Sequence, residues 1–301
     1  MGPGWNELVR WATAELRRGG ASRPEVEALW IAEEATGLSA ADVLAETTEP
    51  TTSAVARFHE MVSRRAAGEP IQYVLGHWPF RGLDLMVDRR VLIPRPETEV
   101  LVDAVLRELR ALDEELLEDP APAGRRSPAE KLVADLGTGS GAIALALVCE
   151  EPTVRVWATD IDGDALAVAR ANLAGAGMPA ARVRLSQGSW YSALPAALEG
   201  RFHVVVSNPP YVAAEEVLPT SVAAWEPRHA LVAGSRGTEA IEEVLGGAPR
   251  WLCRRGRVVV EIAPHQEAQV VRLAETVSLE VLDVVPDQAG RSRVLVAVRR
   301  A

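Results

Sequence analysis

Residues 135–141 read Asp-Leu-Gly-Thr-Gly-Ser-Gly, directly after a short apolar run and before an alanine- and leucine-rich stretch. This order predicts a strand, a tight turn and a helix, because glycines permit the turn and let the backbone approach a ligand closely. Asp160 ends the next strand-like run, where a carboxylate can accept both hydroxyls of a ribose. The pattern therefore indicates an α/β fold that binds a nucleotide-like group.

Strand-like runs recur from residue 131 to the end of the chain, and helical stretches lie between most of them. Regular alternation of strands and helices favours a doubly wound, mostly parallel sheet. Ligands of such sheets bind at the carboxyl ends of the strands. The predicted strands are Leu132–Ala134, Val154–Ala158, Val183–Leu185, Phe202–Val206, Val258–Ile262, Leu279–Val285 and Val294–Val298.

The first 75 residues predict a small helical module. Ser22-Arg23-Pro24-Glu25 is a helix start signal with Ser22 as N-cap, and another helix is expected from Thr52 to Ala67. The apolar stretches Ile71–Leu75, Leu83–Val87 and Val91–Ile93 alternate with glycine and proline, which favours a hairpin or extended connector. A helix is expected from Glu97 to about Leu109, and then a solvated loop over residues 113–130.

Composition limits the partners and the location of the chain. The net charge of −10 argues against a broad electrostatic grip on nucleic acid. The two cysteines are expected to be buried free thiols, and neither they nor the five histidines have metal-ligand spacing, so no metal is expected. The N-terminus lacks signal-peptide character, and the longest apolar run falls far below the roughly 18–20 residues of a membrane span. A cytoplasmic monomer without a membrane partner is expected.

Two details favour S-adenosylmethionine over a dinucleotide, although the glycines also satisfy the loose dinucleotide pattern. An acid precedes the glycines, where it can receive the ammonium group of the cofactor, and the chain offers no second nucleotide-binding half. An aromatic side chain after the third strand can pack on adenine. The cofactor-binding residues predicted from these motifs are Asp135, Gly137, Thr138, Gly139, Ser140, Gly141, Asp160 and Trp190.

The fourth strand runs into Asn208-Pro209-Pro210-Tyr211, a rigid loop whose prolines donate no hydrogen bond. A planar nitrogen is a weak nucleophile and must be held with its lone pair facing the methyl group. The side-chain oxygen of Asn208 and the carbonyl of Pro209 can accept its two N–H bonds, and Tyr211 can lie flat on the planar group. We expect Asn208, Pro209 and Tyr211 to be catalytic and all four residues to bind the substrate.

These motifs resemble the HemK/PrmC family, the peptide chain release factor N5-glutamine methyltransferases. The resemblance also covers Pro70–Gly76, Leu92–Glu99, Trp225–Leu231 and Asp287–Arg291. It implies a seven-stranded Rossmann-like class I methyltransferase core, a small N-terminal helical domain and a β-hairpin connector. It further implies S-adenosylmethionine as methyl donor, S-adenosylhomocysteine as product, and the glutamine of the Gly-Gly-Gln loop of bacterial release factors as substrate. By the same resemblance, Asn208 is expected to bind the cofactor as well as the substrate.

The expected domains are an N-terminal helical substrate-docking domain at residues 1–75, a hairpin connector with a linking helix at 76–112, and the methyltransferase domain at 113–301, of which 113–130 is the loop. Two alternative substrates stay open. One is a glutamine of a ribosomal protein, and the other is adenine N6 in DNA, whose methyltransferases share the Asn-Pro-Pro-Tyr motif. The acidic charge speaks against DNA.

Overall fold

A computed structural model of the chain describes residues 3–118 and 130–300. Its strands are β1 His77–Phe80, β2 Leu83–Met86, β3 Lys131–Leu136, β4 Val154–Asp160, β5 Val183–Gln187, β6 Phe202–Ser207, β7 Val212–Ala213, β8 Val232–Gly234, β9 Leu252–Glu261, β10 Leu279–Pro286 and β11 Ser292–Arg299. Its α-helices are α1 Trp5–Arg18, α2 Pro24–Thr36, α3 Ala40–Leu44, α4 Thr52–Ala66, α5 Ile71–Leu75, α6 Pro96–Glu118, α7 Ala142–Glu150, α8 Gly163–Gly175, α9 Thr220–Ala223, α10 Glu239–Trp251 and α11 Glu267–Thr276.

Within the described part of the chain, seven strands form one sheet in the order β10-β11-β9-β6-β3-β4-β5. The pairs from β9 to β5 are parallel, and β11 runs antiparallel to both of its neighbours. The chain fills one half of the sheet from β3 to β5 and then returns to β6 on the other side of β3. This reversal makes a crevice at the carboxyl ends of β3 and β6, which is where such sheets bind ligands.

Helices cover both faces of this sheet. On one face, buried side chains of α6 and α7 pack against β3, β4 and β6, and Leu101, Leu109 and Leu145 are fully buried there. On the other face, α10 and α11 pack against β6 and β9. The seven predicted strands are confirmed. The inner strands β3 and β6 appear in the sequence as short apolar runs because both of their faces are buried.

Contacts divide the chain into two compact units. One comprises the residues up to Trp78 together with Val87–Arg89 and Leu218–Trp225, and the other comprises Pro79–Met86, Arg90–Val217 and the chain from Glu226 onward. The first unit has its own core, in which the rings of Trp5 and Phe58 meet edge to face at 5.7 Å between centroids. The predicted domain boundaries at residues 75 and 112 stay predictions.

Three local predictions are wrong. Residues 71–75 form the short helix α5 rather than part of a hairpin or extended connector. The hairpin is β1 with β2, and β7 pairs with β8 in a second two-stranded sheet. Arg23, not Ser22, is the N-cap of α2, and its side chain makes no capping hydrogen bond. Cys149 is exposed because it lies near the outer end of α7, whereas Cys253 is partly buried.

The predicted loop at residues 113–130 begins later than expected. Helix α6 continues to Glu118, because Leu112 is buried on its inner face and Asp113 pairs with the buried ammonium group of Lys131. Residues 119–129 of that loop lie outside the described residues. Over residues 3–118 and 130–300, none of the helices combines the length and the apolar character that crossing a membrane requires.

Candidate active site

The glycine-rich loop connects β3 to α7 and is held against the end of β4. The backbone N–H groups of Gly137 and Thr138 donate to the Thr159 carbonyl oxygen at 2.8 and 2.9 Å. Gly137 and Gly139 have φ angles of 75° and 55°, in the left-handed region where a side chain is unfavourable. A Cβ atom on Gly137 would lie 3.4 Å from Cζ3 of Trp190. The loop therefore requires glycine where it faces the crevice.

Asp160 lies at the end of β4, beside the glycine loop. Its Oδ2 accepts a hydrogen bond from the Gly139 N–H at 2.9 Å, and its Oδ1 accepts one from the Asp162 N–H at 3.0 Å. Burial raises the pKa of Asp160, and the two backbone N–H groups oppose that change. Each carboxylate oxygen has a further lone pair, so the group can still accept hydroxyl donors from the crevice.

Asp135 lies at the penultimate position of β3 and is fully buried. Its Oδ2 accepts a hydrogen bond from the Thr138 hydroxyl at 2.6 Å. Burial raises the pKa of Asp135 to about 7, and the nearby charge of Asp160 acts in the same direction. Thr138 thus lies between this carboxyl and the crevice, and direct contact of Asp135 with an ammonium group stays a prediction.

Trp190 follows β5 and is half-buried at the edge of the glycine loop. Its φ angle is 43°, which is unusual for a bulky residue. Strain of this kind costs on the order of 1–3 kcal/mol and concentrates at ligand sites. The backbone therefore holds the indole ring against Gly137, where it can cover one side of a bound planar group.

The Asn-Pro-Pro-Tyr loop begins where β6 ends. The Ser207 hydroxyl donates to the Leu136 carbonyl oxygen at 2.7 Å, which ties this end of β6 to the end of β3. Asn208 Nδ2 donates to Thr98 Oγ1 at 3.1 Å. The structure therefore places the amide of Asn208 next to the glycine loop and against the start of α6.

Tyr211 is partly buried and packs against the core under α10 and α11. Burial raises the pKa of its hydroxyl to about 12, so the hydroxyl stays protonated at neutral pH. Its carbonyl oxygen accepts a hydrogen bond from Gln266 Nε2 at 3.0 Å, and the same amide donates to the Gly237 carbonyl oxygen. Gln266 therefore fixes the path of the chain as it leaves the loop.

One cavity joins most of the predicted site residues. It encloses about 1000 Å³ including its open mouth and lies wholly within the second unit. The predicted residues in its wall are Gly137, Thr138, Gly139, Ser140, Asp160, Trp190, Asn208 and Pro210. Four predicted residues do not line it: Asp135, Gly141, Pro209 and Tyr211. Of these, Gly141 is the N-cap of α7, and Pro209 is buried.

The sequence did not predict several residues of the cavity wall. Arg90, Leu92, Arg95 and Thr98 enter it from the connector and the start of α6, and Ile161 and His229 enter it from two loops. The segments around residues 92–99 and 225–231 stood out only through their resemblance to a family. Glu226 joins these two segments, because its carboxylate accepts the Ile93 N–H at 3.2 Å and pairs with the Arg95 guanidinium.

Two family models match the chain. The first, described as the PrmC N-terminal domain, covers residues 7–76. The second, described as the methyltransferase small domain, covers residues 122–226. The second match includes the glycine loop, Asp160, Trp190 and the Asn-Pro-Pro-Tyr loop, so it covers the predicted residues of the cavity wall but not those from the connector or His229.

Curated relatives match almost the whole chain. The release factor glutamine methyltransferase of Moorella thermoacetica is 41% identical, with 96% of each chain covered. The protein of the same name from Agrobacterium fabrum is 36% identical over 96% of this chain and 95% of its own. That from Deinococcus radiodurans is 34% identical over 98% of both.

Among solved structures, a methyltransferase from Pyrococcus furiosus superposes with a TM-score of 0.50 at 16% identity, covering 82% of this chain and 98% of that one. A likeness at this identity supports the methyltransferase fold alone. The curated relatives carry the assignment further, because they match at 34–41% identity over both the helical module and the core. The chain belongs to the release factor glutamine methyltransferase family.

Proposed function

We propose that this protein transfers a methyl group from S-adenosylmethionine to the side-chain amide nitrogen, N5, of the glutamine in the Gly-Gly-Gln loop of a bacterial release factor. One observation carries the proposal. Asn208, which can hold a planar amide, lies in the wall of the same cavity as the glycine loop and Asp160. A site for a methyl donor and a site for an amide nitrogen are therefore adjacent.

The cavity offers polar groups for the ribose of the methyl donor and apolar surface for its adenine ring. Asp160 offers two carboxylate oxygens to the ribose hydroxyls, and Trp190 and Ile161 offer apolar surface to adenine. The glycines leave space next to the backbone, since nothing lies within 4 Å of a Cβ built on Gly139. S-adenosylmethionine bound there supplies a methyl group on a positively charged sulfur.

The chain's own residues orient the glutamine. Asn208 Oδ1 accepts one N–H of the substrate amide, and the Pro209 carbonyl accepts the other. These acceptors direct the nitrogen lone pair at the methyl group and stabilise the positive charge that develops on nitrogen. Orientation of this kind contributes up to roughly 7–11 kcal/mol in well-aligned systems.

Atoms and electrons balance in the methyl transfer, and the reaction requires neither a metal nor an oxidant. The glutamine nitrogen forms the new N–C bond at the expense of the S–C bond, whose electron pair stays on sulfur. The nitrogen then loses one proton to water, which leaves N5-methylglutamine and S-adenosylhomocysteine. No strong base is required, because the methylated amide nitrogen is a strong acid until that proton leaves.

Two other substrates could be methylated by the same chemistry, and the experiment below distinguishes them from the release factor. A ribosomal-protein glutamine would use the same acceptors, and adenine N6 would use them with a larger planar ring. The net charge of −10 disfavours DNA, whose binding depends on neutralised phosphates. The expected monomeric state and cytoplasmic location stay predictions.

The test incubates the purified protein and S-adenosylmethionine with a release factor, a ribosomal-protein mixture or duplex DNA in parallel. The release factor should gain the mass of one CH₂ group, and tandem mass spectrometry should assign it to the glutamine of the Gly-Gly-Gln loop. A release factor in which that glutamine is replaced by alanine is the matched control. Methyl transfer only to DNA or to a ribosomal protein would refute the proposed substrate.

A further inference from the structure

Three side chains from separate segments form a hydrogen-bonded series that begins with Asn208 and Thr98 in the cavity wall and ends at Glu261, which does not line the cavity. The Thr98 hydroxyl, in the first turn of α6, donates to Oε2 of Glu261 at 2.8 Å. Asn208 Nδ2 donates to the same Thr98 oxygen at 3.1 Å. Thr98 and Glu261 are only 4% and 1% exposed, so water has little access to this series.

The number of hydrogens in the series determines the orientation of the Asn208 amide. A threonine hydroxyl has one hydrogen, and here that hydrogen is donated to Glu261. The Thr98 oxygen can therefore only accept a hydrogen bond from Asn208. Within the Asn208 amide, only the NH₂ group can donate that hydrogen bond. The carbonyl oxygen of Asn208 is consequently directed away from Thr98.

We infer that Thr98 and Glu261 are positioning residues that hold the Asn208 amide with its oxygen available to the substrate nitrogen. This inference rests on the proposed function, in which Asn208 Oδ1 accepts an N–H of glutamine. A rotated Asn208 amide would present its own N–H groups to the N–H groups of the substrate, and no hydrogen bond would form. The polarity of the series therefore distinguishes a productive amide orientation from an unproductive one.

The surroundings of Glu261 add a dependence on pH. Burial raises the pKa of Glu261 to about 7; the Thr98 hydrogen bond and the charges of Arg293 and Arg95 lower the pKa, while Glu97 raises it. Tyr211 also faces Glu261 and stays neutral. Ionised Glu261 can only accept, whereas protonated Glu261 can also donate to Thr98, which frees the threonine hydrogen for Asn208. The constraint is therefore strongest above the pKa of Glu261.

The first test compares Thr98→Val with Thr98→Ser in single-turnover methylation of the release factor at saturating S-adenosylmethionine. Valine has nearly the shape of threonine but no hydroxyl, so the rate should fall roughly 10- to 100-fold, as expected for loss of a hydrogen bond to a charged group. The affinity for cofactor and the KM for release factor should change less than about twofold. Thr98→Ser should restore most of the rate.

Two controls separate positioning from a general structural effect. Thr276→Val makes the same atomic change at an exposed threonine of α11, whose hydroxyl bonds to the carbonyl of Leu273, and should not change the rate. Glu261→Gln should lower the rate and remove the rise in wild-type rate as pH increases through about 7. Circular dichroism should show that all these variants are folded.

Equal rates for Thr98→Val and the wild type would overturn the inference, and so would a loss that appears only as weaker cofactor binding. A Thr98→Ser variant as slow as Thr98→Val would also overturn it. Failure of the proposed function has a different signature, namely a wild-type protein that transfers no methyl group to release factor. In that case hydrogen exchange of the Asn208 NH₂ group, measured by NMR, still decides the inference: exchange should be slower in the wild type than in Thr98→Val, and equal exchange would refute it.

Discussion

Asp135 is a carboxyl group that the folded chain keeps away from water. Its folded pKa of about 7 lies above the ordinary value of 3.8, so the folded state holds this proton more tightly than the unfolded state. The resulting contribution to stability is complete below about pH 4 and disappears as the pH rises through about 7. The unfolding free energy of the cofactor-free protein should therefore include a decrease between about pH 4 and pH 7 that comes from Asp135.

Asp135→Asn tests this titration. Asparagine keeps the shape and an acceptor for Thr138 but does not ionise, so its unfolding free energy should fall less than that of the wild type between pH 4 and 7. A difference on the order of 2–4 kcal/mol across this range is expected from the raised pKa. Denaturant unfolding of both proteins without cofactor measures it. Parallel pH profiles for the two proteins would contradict the assignment.

A substitution at Gly137 tests whether the glycine loop must lie close to the indole ring of Trp190. Gly137→Ala places a Cβ at a φ of 75° and 3.4 Å from the Trp190 ring, so we expect a loss of about 1–2 kcal/mol in stability and weaker cofactor binding. Gly175→Ala is the matched control, because nothing lies within 4 Å of its Cβ at the end of α8. Thermal unfolding and calorimetric titration with cofactor compare them. If both variants behaved alike, the close approach at Gly137 would have no role.

At the level of elements, Asn172 joins α8 to two neighbouring segments. Its Oδ1 accepts the Met86 N–H at 2.7 Å, and its Nδ2 donates to the carbonyls of Met86 and Ser140 at 3.1 and 2.9 Å. These bonds connect α8 with the end of β2 and with the glycine loop. The side chain is buried, so water cannot easily replace them.

Removing this connection should destabilise the protein and loosen the glycine loop. Asn172→Ala removes the partner of the buried Ser140 carbonyl and of the part-buried Met86 N–H and carbonyl, so a loss of about 1–3 kcal/mol is expected. Arg170→Ala, at an exposed position of the same helix, should change stability by less than about 0.5 kcal/mol. Chemical denaturation gives both values. Equal stability of the two variants would show that the hydrogen bonds of Asn172 contribute nothing.

Some helices, strands and site residues could be predicted from the sequence alone, and others could not. The inner strands β3 and β6 were predictable because each is a buried, largely apolar run next to a helical stretch, whereas the edge strands β5 and β10 are only partly buried. The short helix at 71–75 was not predictable, since a five-residue, mostly apolar segment between Pro70 and Gly76 fits a strand and a helical turn equally well. The glycine loop and Asn208 were found from local motifs. Thr98 and Glu261 were missed as site residues because 163 positions separate them and only the fold brings them together.

For the whole molecule, cofactor binding and stability are linked. A ligand that binds only the folded state raises the unfolding free energy by about 2.7 kcal/mol at one hundred times its Kd. S-adenosylmethionine should therefore raise the unfolding temperature of the wild type. Asp160→Ala should lose most of this increase, because it removes the proposed ribose acceptor and the hydrogen-bond partner of the Gly139 N–H.

Asp164→Ala is the control for this experiment, since it removes an exposed carboxylate at the start of α8. It should keep the wild-type increase in unfolding temperature. Differential scanning calorimetry with and without cofactor measures all three proteins. An increase of the same size in Asp160→Ala and the wild type would remove Asp160 from the proposed cofactor site.

The central claim is that Asn208 holds the glutamine amide while the neighbouring cavity holds the methyl donor. Its most direct test is the single-turnover rate of methyl transfer to the release factor glutamine, measured by mass spectrometry for the wild type and for Asn208→Ala. The variant should be folded but about 100- to 1000-fold slower, as expected when a group that stabilises transition-state charge is removed. A folded Asn208→Ala variant that methylates the same glutamine at the wild-type rate would contradict it.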